Sequence, residues 1–264
     1  IIIAPSKNAE SMLLIGATGF LGSHILNEYL DLSPNNIVYC LIRSKSLLEP
    51  EERLKENLNF YFGNKYNSAF GKRIIVVRGD ITNPSFSLSA EQLSALASKV
   101  SIVVHAAALV KHYGSYEHFK DINITGTKNV VDFASKYDKK LYYISTLSVS
   151  GDIENADGKQ VQFYEKDFYI NQSLNNVYIY TKFEAEKIVF EAIQNGLKAC
   201  VLRIGNITNR YSDAKFQINV SENAFVNRLK SFIALGEIPQ KLLKHYIEFT
   251  PVDSCAKAIM TIIQ

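Results

Sequence analysis

Tryptophan is absent from this 264-residue chain, and methionine, cysteine and proline occur only two, three and six times. The cysteines, Cys40, Cys200 and Cys255, stand far apart in apolar contexts ("IVYCLI", "KACVLRI", "DSCAKAIM"). An odd, unclustered set of this kind argues against a disulfide framework or a zinc site and points to a reducing, cytoplasmic compartment. His112 and His118 have no third ligand at a suitable spacing, so no metal is expected. No apolar run approaches the roughly 20 residues that a spanning helix needs, so no membrane partner is expected. A net charge of +3, with no basic run interleaved with aromatics, argues against nucleic acid. Repeats and low-complexity tracts are missing. An initiator methionine is missing too, and the opening "IIIAP" lacks the length and basic flank of a signal peptide, so the chain reads as a piece of a larger one.

What is present is a rhythm. Short Val/Ile-rich runs ("SMLLIGA", "NIVYCLIR", "RIIVVRGD", "SIVVHAAA", "KLYYISTLSVSG") alternate with amphipathic stretches ("FLGSHILNEYL", "PEERLKENLNFYF", "SAEQLSALASK", "YEHFKDINITGTKNVVDFASKY"). Continuous apolar strands each followed by a helix specify a parallel sheet covered on both faces. Five such units before residue 150 predict an α/β, Rossmann-type doubly wound fold. Residues 151–176 are polar and aperiodic, and read as a long loop over a site. A helix over 178–194, the strand "KACVLRIGN", a helix around 222–235 and a last helix from about Asp253 follow. The expected division is a nucleotide-binding Rossmann domain over 1–206 and a small, incomplete substrate-side region over 207–264, interleaved with that core.

"LLIGATGFLGSHI" sets Gly16, Gly19 and Gly22 as G-x-x-G-x-x-G between a strand and a helix. Glycine is needed where the backbone turns tightly, approaches a pyrophosphate and packs helix on strand, and the helix N-terminus offers free N–H groups to phosphate. Thr18, Phe20 and Leu21 complete that turn. An acidic residue about 20 positions on would hold a ribose hydroxyl pair. This chain instead has Arg43, 21 residues past Gly22, with Lys45 close behind and Arg53 within reach. A guanidinium there can fork onto a 2′-phosphate, so NADPH is the expected cofactor. Asp80 and Ile81 in "RGDIT" are expected on the adenine side, Ala106, Ala107 and Ala108 in "HAAAL" beneath the cofactor, and Asn123 in "DINITGT" fixing backbone beside it. His105 reads as a buried structural residue.

Four Tyr-x-x-x-Lys pairs occur among 15 tyrosines, at Tyr61, Tyr116, Tyr178 and Tyr211, so spacing alone cannot choose. Strand five ends in "YYISTLSVSG", which puts Ser145 and Thr146 at the carboxyl edge where ligands bind in this architecture. Tyr178 begins the next helix and Lys182 follows one turn later on the same face. Tyr61 and Tyr116 follow no hydroxyl-bearing strand end, and Tyr211 lies in a loop-like segment.

The glycine-rich turn, "VVHAAALV", "NITGTKNV", "YISTLSV" and "YIYTKFEAEK" together resemble an extended short-chain dehydrogenase/reductase. Within that group "ALVKHYGSYEHFKDINITGT", "STLSVSGD" and "FTPVDSCAKAI" are most similar to the thioester reductase domains of nonribosomal peptide synthetases, carboxylic acid reductases and aminoadipate reductases. The resemblance implies roles for Thr146, Tyr178 and Lys182. The two hydroxyls would stabilise an oxyanion and Tyr178 would donate a proton. Lys182 would hold the nicotinamide ribose and favour the Tyr178 phenolate. It implies a thioester carried on the phosphopantetheine of an upstream carrier domain in a larger multidomain synthetase. Relatives carry Arg-Pro-Gly after the sixth strand, whereas this chain reads "LRIGN", so Arg203, Ile204 and Gly205 near the nicotinamide depart from the pattern. A sugar-nucleotide epimerase or dehydratase and a non-catalytic NADP-binding sensor are the competing readings. Arg43 counts against the first and the retained Tyr178–Lys182 pair against the second.

Overall fold

The computed structural model describes residues 11–44, 49–111, 114–151, 161–240 and 248–264. Lys45 and His112 lie outside them. Six strands form one parallel sheet: β1 (Met12–Ile15), β2 (Val38–Ile42), β3 (Ile74–Arg78), β4 (Ile102–His105), β5 (Lys140–Thr146) and β6 (Ala199–Ile204). Their spatial order is β3-β2-β1-β4-β5-β6, the doubly wound order whose direction reverses between β1 and β4 and opens a ligand crevice there.

Each strand sends alternate side chains to opposite faces. Met12 and Leu14 of β1 join one apolar cluster, Leu13 and Ile15 the other. The first cluster is closed by α1 (Phe20–Leu32), α2 (Pro50–Phe62) and, after the chain returns, α8 (Val252–Ile263). The second is closed by α3 (Ala90–Lys99), α5 (Gly126–Lys136) and α6 (Val177–Gln194). Local chemistry sets the helix starts. Ser89 and Gln92 form a reciprocal capping box at α3. Proline opens α2 with Glu51 and Glu52 in its first turn. The side chain of Asn176 accepts the N–H groups of Tyr178 (2.8 Å) and Ile179 (3.3 Å) at α6. The helix before β5 starts as a short α4 (Tyr116–Phe119) and passes through a π-helical turn, Lys120–Thr125, into α5.

The expected substrate-side stretch divides in two. Residues 207–250 hold the short strand β7 (Ile207–Thr208), a helix α7 (Ala224–Leu235) and the first residue of β8 (Thr250–Pro251), which pairs with β7. The last helix, α8, packs on the Rossmann core, as an interleaved region would: Cys255, Ala256, Ile259, Met260 and Ile263 are buried in the cluster it shares with α1. Among the described residues no helix is long and apolar enough to cross a membrane.

Candidate active site

The glycine turn sits where the sheet order reverses. Gly16 has φ +97°, and a β-carbon there would come within 2.7 Å of the Ala107 nitrogen and 2.8 Å of the Ala106 carbonyl carbon. The tight approach that excludes side chains at Gly16 is therefore made by the end of β4. Gly22 lies under the same turn, and a β-carbon on it would fall inside the carbonyl of Gly16. Gly19 is exposed and caps α1 with no side chain over the helix end and no acidic residue in its first turn. An open cradle of backbone ahead of an uncapped helix fits a pyrophosphate. Asn57 of α2, which nothing in the sequence pattern singled out, braces it: its amide nitrogen donates to Thr18 O (3.0 Å) and its oxygen accepts from the Ser23 hydroxyl (2.6 Å). The Phe20 ring packs with His24 at 5.2 Å and with Tyr61 and Phe216 at 5.5 Å, and Leu21 lies against the core.

Arg43 follows β2 directly and is exposed. Arg53 reaches back from α2 to donate to the Arg43 carbonyl at 3.1 Å. Partial burial, together with the charge of Arg43, lowers the Arg53 pKa. Two guanidiniums are thus held close enough to repel, and among the described residues no ion pair joins Arg43 to a carboxylate. Arg78 at the end of β3 is paired with Glu49. Asp80 lies just beyond β3, buried, with one oxygen accepting the Thr82 N–H (3.0 Å) and hydroxyl (2.8 Å). The Ile81 side chain packs in the core, and its carbonyl accepts from Asn129 at 2.7 Å.

At the carboxyl ends of β4 and β5 the polar groups converge. Thr146 ends β5 with its hydroxyl beside that of Tyr178; burial pushes the Tyr178 pKa above its ordinary value and the Thr146 hydroxyl opposes the rise. Thr146 Oγ1 also accepts the Ser148 N–H at 3.2 Å. Lys182 is 2% exposed. Its ammonium donates to the Ile144 carbonyl at 2.8 Å and lies 4.1 Å from the centre of the Tyr143 ring. Burial brings its pKa down to about 7, with Glu186 opposing the fall. In this arrangement the Lys182 amine is turned toward β5. Neighbouring His105 is fully buried, Nε2 lies 3.1 Å from Thr127 Oγ1, and burial and the Lys182 charge take its pKa down to about 3.

Two further strand-end residues face α6 and one holds backbone, as expected of it. Ser145 alternates with Thr146 and faces α6, donating to Glu186 at 2.5 Å. Arg203, its register partner on β6, forks onto the same carboxylate at 2.8 Å. Asn123 is 1% exposed. Its side chain accepts the Leu109 N–H (2.8 Å) and donates to Leu109 O (3.2 Å) and Thr181 Oγ1 (3.1 Å). It locks the segment after β4, which contains Ala106, Ala107 and Ala108, to the π-turn and to α6, a positioning role. Ile204 pairs in register with Thr146, and Gly205 follows it beneath the carboxylate of Glu248. Strict strand alternation could have separated Ser145 from Thr146; Glu186 was detectable as a carboxylate on the apolar side of α6.

Comparison with known proteins bears on the family and the fold. The NAD-binding family described as "Male sterility protein" matches residues 14–259. A linear gramicidin synthase of Brevibacillus parabrevis is 31% identical over 253 residues, covering 95% of this chain and 5% of that protein. A thiolation-reductase di-domain from an archaeal non-ribosomal peptide synthetase superposes with a TM-score of 0.84 at 33% identity, over 96% of this chain and 67% of that one. The aureusimine biosynthetic cluster reductase domain superposes with a TM-score of 0.81 at 29% identity, over 98% of this chain and 66% of that one.

Proposed function

The chain belongs to this NAD-binding reductase family, and from that premise we propose that it releases a carrier-bound acyl or peptidyl thioester reductively, as an aldehyde, with NADPH. The observation that carries the reading is the Thr146–Tyr178 hydroxyl pair at the carboxyl edge of β5, two strands from the glycine cradle. The cradle of Gly16, Gly19 and Gly22 would hold the pyrophosphate and Arg43 with Arg53 the 2′-phosphate, whose charge would relieve their mutual repulsion. Ala106, Ala107 and Ala108 would leave room for the cofactor across β4, and Asp80 would stand at its adenosine end. When bound, the reduced nicotinamide supplies the hydride.

The protein's own groups do the rest. Attack on a thioester carbonyl develops negative charge on oxygen, and the two hydroxyls are donors already in place for it. Tyr178, held protonated at neutral pH by burial, passes its proton to that oxygen. The Tyr178 phenolate then takes that proton back as the C–S bond breaks, which expels the thiolate and leaves the aldehyde. Lys182, one turn along α6, would hold the nicotinamide ribose and supply positive charge beneath the tyrosine. The chain spans a twentieth of the gramicidin synthase, and the archaeal structure joins a thiolation domain to its reductase. We accordingly place a carrier domain upstream, docking near 161–176 and 207–250. In the latter stretch Ile218, Ile233, Leu235 and Phe249 are exposed.

The test is oxidation of NADPH, with NADH in parallel, in the presence of aminoacyl and dipeptidyl pantetheine thioesters and an oxime trap. NADPH-dependent turnover with trapped aldehyde is expected. Arg43→Ala should weaken NADPH binding about tenfold, about 1.4 kcal/mol, and leave NADH unchanged. Tight NADPH binding with no oxidation across the thioesters overturns the reading.

A further inference from the structure

Glu186 stands four residues after Lys182, on the same side of α6, and is fully buried. None of the steps above uses it. Oε1 accepts the Ser145 hydroxyl at 2.5 Å. The Arg203 fork closes on both oxygens, Nε at 3.2 Å from each and Nη2 at 2.8 Å from Oε2. Arg203 Nη1 continues outward to the carbonyls of Asp167 (2.9 Å) and Glu165 (3.3 Å), and the guanidinium lies 5.1 Å from the Phe163 ring centre. A buried carboxylate–guanidinium pair is a poor source of net stability, since an apolar pair of the same volume serves as well or better. A pair so fully hydrogen-bonded therefore calls for another role. Its place suggests one. It joins the end of β5 beside Thr146, the helix that carries Tyr178 and Lys182, and the 163–168 segment that covers the end of β6.

Resting on the thioester-reductase reading, we propose that Glu186 and Arg203 form a positioning pair of the catalytic centre, holding Lys182 in place as a cation and tying it to the 163–168 segment. The groups that face Lys182 come from each element around it. From β4 there is neutral His105, and from β5 the Tyr143 ring and the Ile144 carbonyl. Tyr178 and Glu186 lie on α6 itself, and Arg203 stands on β6 behind Glu186. Among these described groups Glu186 alone is anionic, and it works against the burial that takes Lys182 down to about 7. Arg203 opposes and limits that support, so the pair sets how firmly Lys182 keeps its proton.

The two partners must therefore act with opposite sign. In the full chain, the Lys182 ammonium is titrated by NMR of lysine-labelled protein, and kcat/KM for the thioester is followed against pH with NADPH saturating. Glu186→Gln removes the supporting charge, and the Lys182 midpoint should fall by about one unit or more. The alkaline limb of kcat/KM should move with it, and kcat should drop about tenfold while KM for NADPH stays within about threefold. Arg203→Gln leaves Glu186 facing Lys182 alone, and the midpoint should rise. A merely structural pair would lower the melting temperature in both variants and move neither midpoint, which overturns the proposal. If one variant does not fold, the sign of the shift in the other decides. A wild-type chain inert toward thioesters would overturn the activity assigned above, while the NMR midpoints still decide the pair.

Discussion

The two faces of the sheet are made by the same strands, yet they are limited by different physics. On the face covered by α1, α2 and α8 the sheet-side core is apolar, from Met12, Leu14 and Val104 to Leu54, Leu58 and Ile259, and the buried polar side chains Ser23, His24 and Asn27 all belong to α1. Its functional end is a turn of backbone in which Gly16 and Gly22 have no room for another carbon. The face covered by α3, α5 and α6 is equally apolar at its base, but its carboxyl end buries His105, Thr127, Ser145, Lys182 and Glu186. One side is constrained by shape and the other by charge. Binding a long, flexible anion needs close backbone and a fixed dipole, whereas moving a proton needs groups whose pKa values are held apart.

The largest expected effect lies on the charge-limited side. Tyr178→Phe keeps the ring and its packing and removes the hydroxyl beside Thr146. It should lower kcat about 100- to 10,000-fold with NADPH affinity changed less than about threefold, as read by steady-state turnover and a binding titration. Near-normal turnover would move the proton donor elsewhere and dissolve the contrast. Gly22→Ala is the matching change on the shape-limited side. The added carbon meets backbone that cannot step aside, so a loss of about 3 kcal/mol or more is expected. That corresponds to a fall of roughly 6–12 °C in Tm, with NADPH binding lost.

Lys182 sharpens the comparison because there function and stability oppose each other. Its folded-state pKa is depressed, from 10.5 to about 7. Below pH 7 both folded and unfolded chains hold the proton, and the folded state bears the full cost of a buried cation. Between pH 7 and 10.5 the folded state releases the proton first, so the cost fades and stability rises with pH. Lys182→Met should abolish turnover. At pH 6 it should nevertheless be more stable than the wild type by about 1–3 kcal/mol, a margin that shrinks as the pH approaches 10. Denaturant titrations across that range check the sign; a variant less stable than the wild type at pH 6 would show that the hydrogen bond to Ile144 outweighs burial.

The sequence carried the shape-limited side almost whole. Strand periodicity, the glycine spacing and the helix that follows are local features, and each is written within about ten residues of itself. The charge-limited side was legible only in part. Tyr178 could be chosen among four tyrosines because a strand end and a helix start frame it. The orientation of Lys182 could not, because it depends on Tyr143 and Ile144, some 40 residues earlier in the chain. A strand end puts Ser145 at the ligand edge, and the resemblance to relatives puts Arg203 near it. Their register pairing puts them on the face that meets Glu186, and that face is a tertiary fact. The packing of Phe20 is hidden for a similar reason: its position in the turn is local, but the rings of Tyr61 and Phe216 that pack on its side chain are not.

The smallest effect tests whether steric overlap alone sets the penalty. At Gly205 an added carbon would overlap the carboxylate of Glu248, on paper a deeper clash than at Gly22. The obstacle there is the tip of an exposed, flexible side chain. Glu248 can turn away at the loss of one hydrogen bond, the 2.7 Å bond from Thr250 Oγ1, worth about 0.5–1.5 kcal/mol at most in an exposed setting. Gly205 is also outside the left-handed region, so alanine fits its backbone and stiffens the unfolded chain, returning about 0.4–1 kcal/mol. Gly205→Ala should therefore change stability by less than about 1 kcal/mol, or about 2–4 °C in Tm, and leave NADPH binding intact. A loss as large as that of Gly22→Ala would mean that the Glu248 carboxylate is held as firmly as backbone, and the shape limit would then extend across the sheet to the end of β6.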